Sequence, residues 1–401
     1  MEESFPFRYS FLEYLFTLVG LVLFLLDIAL DIWTVVSFYQ DGAYVYMAVL
    51  IFLLLGSSVF LQVFSWLWYS DYLGHIETKV EKFADRHLLI KPFHFLQLGV
   101  YLRYAGVIEI STTHFVHRTN SFTEGVAVYL NHDLQMLRLF ETFSESTPQL
   151  ILMMSIILQR GELELITGLK ILTSAAAIAS SVAMYHRSMR AFLPKKRKMS
   201  WFSTGVYFLW NLLLIIPRVT ALALFCSVLP CFIIAHFLSL WMLLVLVAWR
   251  HKTSYMEHPG WEWLFRAAVG LIWYFSWFNI STGGMKLKMV LYYTFIALDT
   301  MMLLGLWCWK VLEYAGCWSS MNPYIVIPTL IGLYAIGILV KIIYYRWFHP
   351  NCDEKKIAVP VEEREPRFMS ACFNMDADSV HAQPLTALPN RHRKMAANFY
   401  S

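Results

Sequence analysis

The chain has 401 residues, of which 58% are apolar, 17% are aromatic and only 15% are charged. Soluble globular proteins carry roughly 25% charged residues, so this composition excludes water as the solvent for most of the surface. The net charge of +4 is too small to indicate a nucleic-acid partner. Apolar runs of about 18 residues or more can cross a bilayer core as helices, and these runs lack the alternation of barrel strands. The sequence therefore predicts an all-α polytopic integral membrane protein.

Ten helical segments follow one another along the chain, and most are joined by short loops. They are predicted at about 11–38, 44–69, 88–108, 132–159, 163–192, 203–225, 228–249, 262–280, 286–311 and 323–347. Residues 351–401 are polar and show no periodicity, which predicts a disordered cytosolic tail.

Basic loops set the orientation, because short loops rich in Lys and Arg stay in the cytosol. The strongest such signal is the run PKKRKM at 194–199, followed by Arg250–Lys252 and the pair Lys286 and Lys288. Segment 262–280 then begins and ends on the cytosolic side, so it is predicted to be re-entrant and to break near Gly270. The same plan makes 88–108 re-entrant. The result is about eight spans and two re-entrant half-helices in two parallel repeats, 1–195 and 196–350, with both termini in the cytosol.

Two helices carry acidic pairs that do not belong in lipid. Asp27 and Asp31 are four residues apart on one predicted helix, and Glu141 and Glu145 repeat that spacing on another, one turn after Arg138. A charged side chain at the bilayer centre costs about 2.5–3.5 kcal/mol on insertion scales, so these groups must face water, a basic partner or one another. Structural ion pairs between helices are one interpretation. A polar stripe for zwitterionic lipid headgroups is the other, with carboxylates for the ammonium group and arginines for the phosphate.

Soluble-enzyme signatures are missing from the sequence. There is no Walker A, GxGxxG, GxSxG or HExxH motif, so the sequence predicts neither enzymatic activity nor a bound cofactor. No CxxC pair or His/Cys cluster has metal-ligand spacing, so no metal site is predicted. Cys226 and Cys231 leave two alternatives open, a disulfide or two buried free thiols.

Six ordered blocks between residues 15 and 350 closely resemble the Xk-related family of phospholipid scramblases, and most resemble its compact, caspase-activated branch. The blocks are FLLDIALDIW, LQVFSWLWYSD, MLRLFETFSESTPQLIL, YFLWNLLLIIPRV, WLFRAAVGLIWYFSWFN and YYRWFHP. The resemblance implies passive, non-selective lipid flipping that exposes phosphatidylserine on dying cells. It also implies a plasma-membrane location and a single-span immunoglobulin-type subunit as a partner. The residues it implies for the lipid-headgroup pathway are Asp27, Asp31, Arg103, Glu141, Glu145, Arg187 and Arg218, with Glu13 as a lower rung.

This chain departs from the family pattern at two places. The family has an acidic residue just before the Tyr-His-Arg of the fifth span, where Met184 stands here, so the resemblance supplies no neighbouring partner for Arg187. Caspase-activated members carry Asp-x-x-Asp-small in the tail, and here Met375 replaces the first aspartate. Cleavage between Asp378 and Ser379 by a caspase is therefore one prediction for activation, and modification of the tail is the other.

Two other functions fit the same residues. An ion- or solute-coupled membrane transporter would use the carboxylates to bind its coupling ion. In a non-catalytic membrane subunit of a surface complex, the charges would only join helices.

Overall fold

We describe a computed structural model of the chain over residues 9–71, 78–117, 121–160, 165–192, 199–251, 253, 255–256, 258–280, 285–313 and 322–349. Within these ranges the regular structure is helical and no strand occurs. The first group of helices is α1 Phe11–Gln40, α2 Tyr44–Asp71, α3 Lys79–Arg86, α4 Ile90–Phe95, α5 Gly99–His117, α6 Ser121–Glu141 and α7 Thr147–Arg160. The second group is α8 Leu165–Phe192, α9 Trp201–Val228, α10 Pro230–Arg250, α11 Pro259–Trp273, α12 Met285–Glu313 and α13 Pro323–Ile343.

Six helices in the described part of the chain are long and apolar enough to cross a membrane. They are Phe11–Gln40, Tyr44–Ser70, Trp201–Val228, Pro230–Arg250, Lys286–Glu313 and Pro323–Phe348. Five of them have many large apolar side chains on their outer surface, which only a lipid environment would tolerate, whereas Trp201–Val228 is largely buried by its neighbours. The prediction of an all-α polytopic membrane protein is confirmed.

The predicted spans 132–159 and 163–192 are helical but are not among these six. They correspond to α6–α7 and α8, and charged residues such as Arg138 and Glu141 interrupt the apolar run of α6–α7. The total of eight spans therefore stays a prediction.

Helix α11 covers the segment that we predicted to be re-entrant in the second half of the chain. Its 15 residues make a rod of about 22 Å at about 1.5 Å per residue, too short for a core of about 30 Å. Pro259 begins the helix, where its missing N–H is harmless. After Trp273 the chain continues without helix to Ile280. These lengths suit a half-helix, and its re-entrant placement stays a prediction.

The predicted break at Gly270 is wrong, because α11 continues through this residue. Gly270 instead allows α11 to approach α10 closely. A Cβ atom at this position would lie 2.7 Å from Val245 Cγ2 and 3.2 Å from the Val245 backbone nitrogen. The glycine therefore serves helix packing, a common use of small residues between membrane helices.

The described residues form two compact units. The first contains α1–α6, the chain onward to Glu145, and the part of α8 from Met184 onward. The second contains α7, the rest of α8 and α9–α13. The two sequence repeats, 1–195 and 196–350, stay a prediction, and the predicted tail 351–401 lies outside the described residues.

Replacement of Gly270 by Ala tests the packing of α11 on α10. We expect the free energy of unfolding to fall by about 1–3 kcal/mol, because the new methyl group overlaps Val245. Gly305→Ala is the matched control, since a methyl group added at Gly305 on α12 would meet no neighbouring atom within 4 Å and brings the same gain in helix propensity. Thermal unfolding of both variants in one detergent measures the difference. Equal midpoints would contradict the packing role.

Candidate functional site

Three acidic side chains converge inside the first unit. Asp27 and Asp31 lie one turn apart on α1, and Glu145 approaches them from the segment after α6. One carboxylate oxygen from each residue lies within 4.8 Å of the other two. Asp31 and Glu145 are buried and Asp27 is partly buried. We call these three residues the carboxylate cluster.

A π-helical turn over Thr142–Ser146 positions Glu145. Pro148 accounts for this turn, because it has no N–H to donate to the carbonyl of Ser144, four residues earlier. The wider turn changes the simple four-residue stacking of Glu141 and Glu145 that the sequence predicted. The hydroxyl groups of Ser144 and Ser57 lie 2.7 Å apart and connect the turn to α2. Single π-helical turns of this kind are frequent at functional sites.

Arg138 supplies the positive charge beside the cluster. Its guanidinium lies directly against Gly20 on α1 and occupies the space that the Cβ atom of any other residue at position 20 would need. The charge of Arg138 acts favourably on Asp27 and Glu141. Asp27 of the cluster and Glu141 therefore both have this arginine as a neighbour.

The charges of the cluster favour the binding of a cation. Two ionised carboxylates no more than 4.8 Å apart repel by roughly 3 kcal/mol or more at an effective dielectric constant of about 20. A proton, a metal cation or an organic ammonium group placed among the three oxygens relieves that repulsion. Within the described residues, Asp27, Asp31 and Glu145 have a spacing that could hold a metal ion, although the sequence predicted no metal site.

Glu13 and Arg187 form a separate ion pair in the first unit. Arg187 Nη2 lies 3.6 Å from Glu13 Oε1, and both side chains are buried. The other Glu13 oxygen accepts a hydrogen bond of 3.0 Å from the Ser10 N–H and completes the capping box of α1. The sequence offered no acidic neighbour for Arg187 at Met184, and the structure places Glu13 beside it.

Arg103 lies in a third network of the same unit. Its Nε and Nη2 donate hydrogen bonds of 2.8 Å each to the side chain and the carbonyl of Ser65, and Nη1 lies 3.6 Å from Asp133 Oδ2. Its guanidinium also stacks on the Tyr69 ring at 4.1 Å. These contacts satisfy a buried arginine, and they are not contacts with the carboxylate cluster.

Arg218 belongs to the second unit. Its Nη1 forms a short, charge-assisted hydrogen bond with Asp299, and Nε donates to the Tyr274 carbonyl at 3.2 Å. His236 completes the network, with Nε2 at 3.1 Å from Asp299 Oδ1 and Nδ1 at 2.9 Å from the Tyr274 hydroxyl. Pro217 sits inside α9 without ending it, so the helix carries Arg218 into the middle of this network.

The structure thus distributes the eight predicted pathway residues over several places. The carboxylate cluster holds three of them, with Glu141 nearby, whereas Glu13 pairs with Arg187 and Arg103 and Arg218 have their own partners. Sequence reasoning did not select Asp133, Ser57 or His236, since polar residues of these types inside helices have no distinctive spacing. Their one signal was a polar residue within an apolar run.

Cys226 and Cys231 are free thiols, and Cys231 is exposed. The predicted cleavage site at Asp378 and Ser379 lies outside the described residues.

Comparison with known proteins gives the family. The sequence model of the XK-related protein family matches residues 15–350, most of the chain. The chain belongs to the XK-related family. It is 40% identical over 357 residues to XK-related protein 8 of Tetraodon nigroviridis, and the match covers 88% of this chain and 87% of the relative. Two further proteins of that name are similar, from Gasterosteus aculeatus (39% identity; 88% and 87% covered) and Pan troglodytes (37%; 83% of each).

Isosteric neutralisation distinguishes the cluster from the ion pairs of this XK-related protein. Asp133→Asn leaves Arg103 buried without its counter-charge, so we expect the free energy of unfolding to fall by about 3 kcal/mol. Glu145→Gln relieves repulsion within the cluster, so we expect an unchanged or higher stability. Apparent midpoints of thermal unfolding in the same detergent at neutral pH measure both. A lower midpoint for Glu145→Gln than for Asp133→Asn would contradict this assignment of charges.

Proposed function

We propose that this XK-related protein is a passive phospholipid scramblase, which moves phospholipids between the leaflets without an energy source. The observation that carries the proposal is the carboxylate cluster, in which three acidic side chains converge inside a polytopic membrane protein. Phospholipids with choline, ethanolamine or serine headgroups carry an ammonium group that matches this site. The resemblance of the six sequence blocks to a scramblase family also supports it.

The cluster and Arg138 together provide complementary charges for one headgroup. The carboxylates of Asp27, Asp31 and Glu145 bind the ammonium group, and the guanidinium of Arg138 binds the phosphate. The acyl chains stay in the surrounding lipid while the headgroup crosses the apolar core. Because the headgroup is bound on the way, the free-energy barrier to its crossing is lowered equally in both directions. No step requires hydrolysis, which agrees with a sequence that lacks nucleotide and hydrolase motifs.

The setting of this activity is part of the proposal. We place both termini in the cytosol, following the basic loops, and the protein in the plasma membrane, following the family resemblance. Cleavage of the tail after Asp378 by a caspase, or modification of the tail, activates it during apoptosis and exposes phosphatidylserine. A single-span immunoglobulin-type subunit is the proposed partner for transport to the cell surface. The proposal includes no cofactor.

Two other candidate functions have specific observations in their favour. The spacing of the cluster oxygens also suits an inorganic cation, which favours an ion- or solute-coupled membrane transporter. The ion pairs Arg103–Asp133 and Arg218–Asp299 favour a non-catalytic membrane subunit whose charges only join helices.

Purified protein in lipid vesicles tests the scramblase proposal. Fluorescent phospholipids in both leaflets are exposed to a reductant that cannot cross the bilayer, and the protected fraction is measured for the full chain and for a chain cut after Asp378. We expect the cut form to remove most of the protected signal, and the full chain to leave it closer to that of protein-free vesicles.

A variant with Asp378→Ala, treated with the same caspase, is the matched control and should behave like the full chain. Movement of lipid by both forms would contradict the role of the tail but support the activity. Protection equal to protein-free vesicles for both forms, with or without added ion gradients, would contradict the scramblase proposal. Currents that depend on a solute would favour the coupled transporter.

A further inference from the structure

Residues 79–98 form a structured surface that the headgroup pathway does not use, and we call it the interfacial segment. It contains α3, α4 and the turns that follow each helix. Four large apolar side chains on it are exposed: Phe83 at 59%, Leu88 at 81%, Phe95 at 86% and Leu96 at 61%. Neither α3 nor α4 is long enough to cross a bilayer.

Helix α3 divides its surface into three parts. Glu81 and Ala84 are buried against the rest of the first unit, whereas Val80 and Phe83 are exposed. Next to them lies a basic face that consists of Lys79, Lys82 and Arg86, and all three side chains are exposed. An exposed apolar face beside a basic face is typical of helices that lie in a membrane interface.

The acidic residues of this region mostly point away from the basic face. Glu81 accepts hydrogen bonds from the hydroxyls of Tyr69 and Thr78, each 2.7 Å long, and burial raises the pKa of its carboxyl. Both oxygens of Glu109 accept hydrogen bonds of 2.8 Å from the first backbone N–H groups of α3, at Lys79 and Val80. These contacts hold α3 firmly in place. Asp85 is the exposed acid on the helix.

Leu88 gives an independent indication that the exposed apolar residues serve a purpose. It has a φ of +56° and occupies the position after the helix cap at which glycine is strongly favoured. The hydrogen bonds Leu88 N–H to Asp85 and Leu89 N–H to Ala84, 3.0 and 2.8 Å long, complete a Schellman motif. A leucine here strains the backbone and leaves its side chain in the open. The strain is explained if the isobutyl group enters lipid.

We propose that the interfacial segment is a binding surface for the anionic lipids of the cytosolic leaflet. The apolar residues enter the boundary between headgroups and acyl chains, and the basic face of α3, together with Lys91, attracts phosphatidylserine. Charge complementarity selects this partner, since basic residues that flank a span stay on the cytosolic side, where anionic lipids concentrate. The inference does not depend on lipid movement through the carboxylate cluster.

Photocrosslinking of the full chain in vesicles tests this surface. A photoreactive diazirine amino acid replaces Phe83, and vesicles of phosphatidylcholine with added phosphatidylserine supply the lipids. Mass spectrometry counts the adducts of each lipid.

The matched control places the same amino acid at Phe52 on α2, which is 75% exposed and has no basic neighbour in sequence. We expect phosphatidylserine at position 83 to exceed its bulk share at least about five-fold, the factor that one basic residue contributes near an anionic surface. At position 52 we expect the bulk ratio.

Two further variants separate the contributions. Combined substitution of Lys79→Gln, Lys82→Gln and Arg86→Gln should return the ratio at position 83 to that at position 52. Leu88→Gly should reduce all lipid adducts at position 83 by about half or more, while the midpoint of thermal unfolding stays equal or rises because the strain is removed. Equal ratios at the two positions, or no lipid adducts at position 83, would overturn the proposal, and the second result would point to a protein partner. A fall in the unfolding midpoint of Leu88→Gly without loss of adducts would overturn the role of Leu88.

Discussion

The need to neutralise charge inside an apolar medium governs this structure. Each buried arginine that we describe has an acidic neighbour: Arg187 has Glu13, Arg103 has Asp133, and Arg218 has Asp299. Such pairs repay the desolvation of their members only when the geometry is good and further hydrogen bonds are made. Ser65 supplies those bonds for Arg103, and the Tyr274 carbonyl supplies one for Arg218. The pairs therefore join helices without exposing charge to lipid.

The carboxylate cluster differs from these pairs because its charges have the same sign. Arg138 is the cation nearest to it in the described contacts, and it also acts on Glu141. A site with surplus negative charge is unfavourable for stability and favourable for binding a cation, a combination that is common at functional sites. Two local devices create it. Gly20 leaves room for the Arg138 guanidinium, and the π-helical turn before Pro148 turns Glu145 toward α1.

The sequence was sufficient for the fold class and for part of the site. The four-residue spacing of Asp27 and Asp31 placed both on one face of a helix, since that spacing is a property of any α-helix. The position of Glu145 depended on a π-helical turn, which the α-helical period cannot predict. The break expected at Gly270 was wrong because glycine has two uses in membrane helices, and only the position of Val245 distinguishes packing from a break.

Partners that are distant in sequence were the least predictable part. Glu13 and Arg187 are separated by most of the first unit, and Asp133 lay at the edge of a predicted helix where it had no reason to be selected. Such pairs are set by how helices are arranged in three dimensions. The family resemblance indicated which residues matter but not which of them meet, so Arg103 and Glu13 were grouped with the cluster although the structure gives them other partners.

The most direct test of the central claim is a lipid-flipping assay in lipid vesicles that contain no other protein. It compares the chain cut after Asp378 with the same cut chain carrying Asp27→Asn, Asp31→Asn and Glu145→Gln. Removal of charge-assisted hydrogen bonds to the headgroup should slow flipping by about ten-fold or more. The apparent midpoint of thermal unfolding of the triple variant shows whether the variant is still folded. Flipping at the wild-type rate by a folded triple variant would contradict a headgroup path through the carboxylate cluster.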